Sequence, residues 1–317
     1  GAKPRRRQAA RPLDIVATTH HDCGMFAAIP FPDISPEIFS IDIFGMTLAL
    51  RWYAMGYIVG IALGWMLIKA ALGRPHLWRN GAPMDPARLE DLLTYIVLGV
   101  IGGGWLGYVF FYQPATFLAD PASIIRIWEG GLSFHGGFAG VVIAVWLFSR
   151  RQSVPLPDLA DIIALAATPA ILLVRIANFI NAELWGRPTD VPWGVIFPGD
   201  AAQSCATATA PCVRHPSQLY EAGLEGLVLG AVLLLLTFRF GGLKKPWLLS
   251  GLFFAGYGMS RFIVEFVRQP DAQFVSPGNP LGWAVQFGDY GLTMGQVLTL
   301  PMIVIGLVVV MATLRRR

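Results

Sequence analysis

Charge is scarce in this sequence. Asp, Glu, Lys and Arg make up 14% of its 317 residues, against about 25% in an ordinary soluble domain. Hydrophobic residues reach 55% and the mean hydropathy is positive. A soluble globular chain is thereby excluded. Histidine is also sparse. The five residues His20, His21, His76, His135 and His215 show none of the Cys/His spacings that hold zinc. No glycine-rich loop follows a strand, so no nucleotide cradle is expected, and no metal or organic cofactor. No internal repeat is visible, which argues against a transporter built from duplicated halves. The net charge is +4, but the basic residues sit at the ends of apolar runs, where membrane topology accounts for them better than nucleic-acid binding does.

What the chain does have is apolar runs approaching the roughly 20 residues that cross a bilayer. The expected class is all-α: a polytopic membrane protein with about seven helices, near 45–71, 91–112, 134–149, 158–179, 218–239, 247–267 and 294–313. Residues 1–40 read as an N-terminal extension and lead-in, and 41–317 as the membrane domain, with an outer segment at about 180–217. The extension lacks the compact apolar core of a signal peptide and is expected to be disordered. Phe31–Pro36 reads as a loop. Gly102-Gly103-Gly104, inside an apolar run, suits close helix packing. Asp158 and Asp161 read as caps at a helix start.

Lys69, Arg74, Arg79, Arg88, Arg150, Arg151, Arg239, Lys244, Lys245 and Arg315 to Arg317 fall on one side of these spans. Arg51, Arg126, Arg187, Arg214 and Arg268 fall on the other, where the basic tail of Lys3, Arg5, Arg6, Arg7 and Arg11 is dissonant but too far from a span to count. The positive-inside rule then puts the N-terminus outside and the C-terminus in the cytoplasm. The same topology collects Tyr53, His135, Arg175, Asn178, His215, Arg261 and Glu265 at the outer side. Cys205 and Cys212 share one loop there. They form a disulfide or remain two free thiols; Cys23 has no evident mate.

Arginine inside a span costs roughly 2.5–3.5 kcal/mol on insertion scales, so Arg175 and Arg261 call for a partner, a ligand or a water-filled cavity. Arg175 and Asn178 are three apart, on one helix face. Arg261 and Glu265 are a turn apart, which fits either a structural ion pair or a guanidinium held ready for a phosphate. His135, in Ser133-Phe134-His135-Gly136-Gly137, is either a structural residue at a helix end or a base suited to neutral pH.

The stretch Arg175-Ile176-Ala177-Asn178-Phe179-Ile180-Asn181-Ala182-Glu183-Leu184-Trp185-Gly186-Arg187 resembles the signature of the prolipoprotein diacylglyceryl transferase family. Phe134-His135-Gly136-Gly137, His215 to Glu221, Arg261 to Asp271, Arg51-Trp52-Tyr53 and Met294-Gly295-Gln296 resemble the same family, over roughly residues 29–317. The chain departs from the pattern at Ala54, Trp105, Val174 and Ala177. The resemblance implies a bacterial inner-membrane enzyme that moves diacylglycerol from phosphatidylglycerol to the lipobox cysteine of a prolipoprotein signal peptide and releases glycerol phosphate. It implies His135, Arg175, Arg261 and Glu265 as catalytic residues, and Tyr53, Asn178, Glu183 and Gly186 as substrate-binding ones. Two other classes stand beside it. A lipid or anion transporter would need broken helices and charge at mid-membrane. An intramembrane protease would need a Ser–His pair or paired aspartates within the helices.

Overall fold

The computed structural model describes residues 28–43, 46–127, 131–205 and 211–315; the extension, Cys23 included, lies almost wholly outside them. Among the described residues, seven long helices run in antiparallel succession: α1 Trp52–Leu72, α2 Leu89–Phe111, α3 Phe134–Gln152, α4 Leu156–Ile180, α5 Ser217–Phe238, α6 Leu248–Val264 and α7 Met294–Arg315. Five of them, α1, α2, α4, α5 and α7, are long and apolar enough to cross a membrane by length and composition. The sixth, α6, is a shorter apolar helix of 17 residues. Exposed Val97, Leu98 and Ile101 on α2, and Val304, Ile305 and Val308 on α7, give these helices an apolar outer surface, as a bilayer solvent requires.

Small residues set the helix contacts. Gly56, Gly60 and Gly64, four apart on α1, are buried against Leu173, Ala170 and Ala166 of α4. On α2, Gly99, Gly103 and Gly107 lie against Gly136 and Gly140 of α3. Except at Gly56, where a Cβ would be tight at 3.2 Å, these approaches are too close for a Cβ, and in lipid such packing replaces the hydrophobic drive between helices. Of the glycine triplet, Gly103 makes that contact, Gly104 meets Leu132, and Gly102 faces open space. At the end where α3 meets α4, Phe148, Leu159, Ile162, Leu165, Leu233 and Leu249 form the main buried core.

The first span was expected from residue 45, but it starts at Trp52. Strands β2 Glu37–Ile43 and β3 Met46–Arg51 form an antiparallel hairpin before it. Period-two alternation explains this. Phe39 opposes Leu50 and Ile41 opposes Leu48, while Asp42 opposes Thr47 and accepts its hydroxyl hydrogen bond at 2.6 Å. The apolar content of 46–50 thus belongs to a strand face. The sixth helix ends at Val264 rather than 267. Asp161 is not a cap of its own helix. It is fully buried and accepts from Ser250 N–H at 2.8 Å and Ser250 Oγ at 2.7 Å, so it caps the start of α6 from across the bundle.

The segment after α4 folds onto the loop after α6. A two-residue strand, β1 Ile29–Pro30, pairs in parallel with Val195–Ile196. Phe197 is fully buried beside Phe31 and Phe179. Cys205 and Cys212 are joined as a disulfide, which settles the choice left open by the sequence. Arg214, 3% exposed, donates to the carbonyl oxygens of Ala202, Ser204 and Gly186 and to Gln269 Oε1. It also lies over the Trp185 ring. Arg187 donates to the carbonyls of Arg268 and Leu281. Arg214→Ala should leave several buried acceptors unmet at once and cost on the order of 3 kcal/mol. A thermal melt of purified protein in detergent should show the loss; an unchanged melting temperature would mean that the clamp contributes nothing.

Candidate active site

Arg175, in the last turns of α4, and Arg261, near the end of α6, meet across α5. Glu221 lies between them. Its Oε2 is 3.0 Å from Arg175 Nη1, and its Oε1 accepts from Arg261 Nη1. One turn further on, Glu225 brings Oε2 to 3.7 Å from Arg175 Nε and Oε1 to 3.9 Å from Arg261 Nε. Glu225 sits in a π-helical turn, Ala222–Val228, within α5, a distortion frequent at functional sites. There Gly226 lies directly against Leu172 of α4, and this close approach brings Glu225 within reach of Arg175. Glu265 continues the network: Oε1 is 3.1 Å from Arg261 Nη2 and 3.3 Å from Arg268 Nη1.

The cluster therefore holds three guanidiniums against three carboxylates, and its two faces differ. The glutamate side chains are 2%, 0% and 4% exposed, while Arg175, Arg261 and Arg268 are 20%, 14% and 22% exposed. The acids stand behind and the guanidiniums in front. Buried ion pairs of this kind do not as a rule stabilise a fold more than apolar residues of equal volume. Stability alone therefore leaves the cluster unexplained. A cationic face backed by acids suits an anionic ligand, which guanidinium grips with two parallel N–H bonds.

Beside this face lies a second constellation. Asn178 Nδ2 donates to Glu183 Oε1 at 2.7 Å, and Asn181 Nδ2 to the same oxygen at 3.3 Å. The Glu183 backbone is held too, its N–H by the Asn178 carbonyl and its own carbonyl by Gln218 Nε2. Its neighbours Ala182 and Leu184 carry φ of +52° and +57°, positions that cost non-glycine residues about 1–3 kcal/mol each. These bonds keep Glu183 fixed despite that cost. Tyr53 stands one turn before Gly56, which packs against Leu173 and Val174 of α4 just ahead of Arg175, and its hydroxyl bonds Tyr57 at 3.3 Å. Gly186 plays a packing part: a Cβ there would sit 2.6 Å from both His215 Cβ and the Val267 carbonyl oxygen.

Of the residues expected from the sequence, Arg175, Arg261 and Glu265 share one network, and Tyr53, Asn178 and Glu183 lie alongside it. His135 does not join it. It is exposed near the start of α3, and among the described residues no hydrogen bond or ion pair links it to the arginines. Ser133 caps that helix by accepting from Gly136 N–H at 3.1 Å. The glycines after His135 admit the α2 backbone. His215 is occupied elsewhere: its Nδ1 is 3.2 Å from Tyr220 Oη, which accepts from Trp193 Nε1. Burial pushes the His215 imidazole below its ordinary value, with Asp190 opposing. Trp105, at a departure from the family pattern, donates to the Ile124 carbonyl at 2.6 Å.

Glu225, Arg268 and Thr293 are cluster residues that the sequence pattern does not single out as site residues. Glu225 carried a usable signal, an acid well inside an apolar run, where ionisable residues are costly and usually functional. Arg268 stood only inside the family-like segment Arg261 to Asp271 and Thr293 had no signal, since both lie in a loop and reach the cluster only through the fold.

Fold and site together define a polytopic membrane protein with an arginine–glutamate site, guanidiniums on its more exposed face, at the ends of three helices. The sequence matches the family model described as prolipoprotein diacylglyceryl transferase over residues 39–312, and the chain belongs to that family. It is 62% identical to the phosphatidylglycerol–prolipoprotein diacylglyceryl transferase of Ruegeria pomeroyi over 284 residues, which cover 89% of this chain and 96% of that protein. The protein of the same name from Roseobacter denitrificans is 60% identical, covering 89% and 97%. The one from Rhizobium meliloti is 45% identical, covering 89% and 92%.

Proposed function

We propose that this chain transfers the sn-1,2-diacylglyceryl group of phosphatidylglycerol to the lipobox cysteine thiol of a prolipoprotein. A carbon–sulfur bond forms as the bond between the glyceryl carbon and the phosphate oxygen breaks. The electron pair leaves with the phosphate, and glycerol phosphate departs. The donor is a phosphodiester with one negative charge, and the phosphate gains a second as the bond opens. Arg175 and Arg261 face that growing charge, and removing one such donor typically costs 10²–10³-fold in rate. Glu265 holds Arg261 in place. Asn178, Glu183 and Tyr53 orient the headgroup, and Gly186 keeps the loop around them close. His135, exposed and meeting only the edge of the Phe134 ring at 5.7 Å among the described residues, takes the thiol proton, which raises the nucleophilic fraction of a group whose ordinary pKa is near 8.5.

The reading includes placement in the bacterial inner membrane, N-terminus periplasmic and C-terminus cytoplasmic. It is supported by the lysine and arginine asymmetry and by the site lying at the ends of α4 and α6 and the start of α5, all on one side. The observation that carries the proposal is the order of the cluster, with acids behind and guanidiniums in front. Purified protein should bind short-chain phosphatidylglycerol, and an Arg175→Gln, Arg261→Gln double variant should bind it at least tenfold more weakly. Equal affinity would place the phosphate elsewhere.

A further inference from the structure

The start of α7 is built around a carboxylate that α7 does not own. Thr293 N–H donates to Gln296 Oε1 at 3.0 Å, and Gln296 N–H donates to Thr293 Oγ1 at 3.2 Å, a reciprocal capping box. The Thr293 hydroxyl then spends its own proton outside the helix, donating to Glu265 Oε2 at 2.9 Å. A hydroxyl has one donor and two acceptor sites, so both bonds can coexist. Thr293, Gln296 and Glu265 are 5%, 2% and 3% exposed.

Gly295 completes the arrangement. A Cβ at this position would stand 2.6 Å from Glu265 Oε1 and 2.8 Å from Glu265 Oε2. Its backbone is not left-handed, so the conformation does not demand glycine. In the first turn of a helix glycine is disfavoured relative to alanine. What glycine provides is room for the carboxyl group. The N–H end of α7 also favours negative charge there.

We infer that Thr293 and Gly295 are positioning residues for the donor site. Together they form a socket that fixes the Glu265 carboxylate, whose other oxygen steadies Arg261 and Arg268. The inference rests on the reading that Arg261 grips the phosphate. It adds that the geometry of that grip is set from α7, by one hydroxyl and one missing methyl.

The test uses full-length protein in detergent with phosphatidylglycerol and a lipobox peptide, and compares kcat, KM and melting temperature. Gly295→Ala should lower kcat/KM at least tenfold. Glu265→Asp withdraws the carboxylate by one methylene, so the Gly295→Ala, Glu265→Asp double variant should transfer at least threefold faster than Gly295→Ala alone. A purely structural glycine would not be rescued by shortening a glutamate. Thr293→Ser should keep at least fivefold more activity than the near-isosteric Thr293→Val, which covers the case in which the alanine variant fails to fold. Normal kinetics in Gly295→Ala, or a double variant no better than the single, would overturn the socket. Thr293→Ser and Thr293→Val of equal activity would do the same. Arg261→Ala is assayed alongside. If it transfers normally, the donor-site reading itself fails; if it is inactive while Gly295→Ala is normal, the socket alone fails.

Discussion

Arg261→Lys should lower the rate of diacylglyceryl transfer by about 10²–10³-fold, the cost typical of losing one donor aimed at developing charge, and Arg261→Ala should abolish it. The lysine variant keeps the charge but loses the planar fork. In this structure Nη1 meets Glu221 and Nη2 meets Glu265, which leaves the second N–H of each nitrogen for a phosphate. A lysine ammonium is a single point with rotatable donors and cannot hold both acids and present an ordered face to phosphate. Lipidation of a lipobox peptide by purified protein in phosphatidylglycerol micelles measures the effect. A near-normal rate for either variant would remove Arg261 from the mechanism.

His135→Gln should lower kcat by about 10²–10⁴-fold, the usual contribution of a positioned general base, while phosphatidylglycerol still binds. That split follows from the geometry, since the imidazole stands outside the arginine network. The remaining rate should rise with pH toward the thiol's own titration, because hydroxide and thiolate then replace the missing base. A variant that keeps the wild-type pH dependence would reassign the base. A variant that loses lipid binding as well would tie His135 to the donor site.

Much of this was legible in the residue order. Arg175 and Arg261 announced themselves as arginines in apolar runs, and the cost of that placement required partners. The apolar runs matched seven helices, of which five are long and apolar enough to cross a membrane, and Gly103 makes the close packing contact expected of its triplet. What the order hid came from three-dimensional sharing. Glu221 reads as the end of a helix-opening motif, but in the fold it is the bridge between two spans. Asp161 reads as a local cap, but it caps another helix. The strand Met46–Arg51 was absorbed into the first apolar run because strand alternation and helical burial overlap over so short a stretch. The expectation that one imidazole stands with the two guanidiniums is met for the guanidiniums and not by contact for the imidazole.

The most direct test of the central claim follows the two ends of the donor lipid separately. Purified protein is incubated with a lipobox peptide and phosphatidylglycerol labelled either in its acyl chains or in its headgroup glycerol. The account predicts that acyl label appears in the peptide through a bond stable as a thioether, that headgroup label leaves as glycerol phosphate in equal amount, and that both signals vanish in the Arg175→Ala, Arg261→Ala double variant. A peptide that stays unlabelled while intact phosphatidylglycerol binds or crosses the bilayer would contradict it.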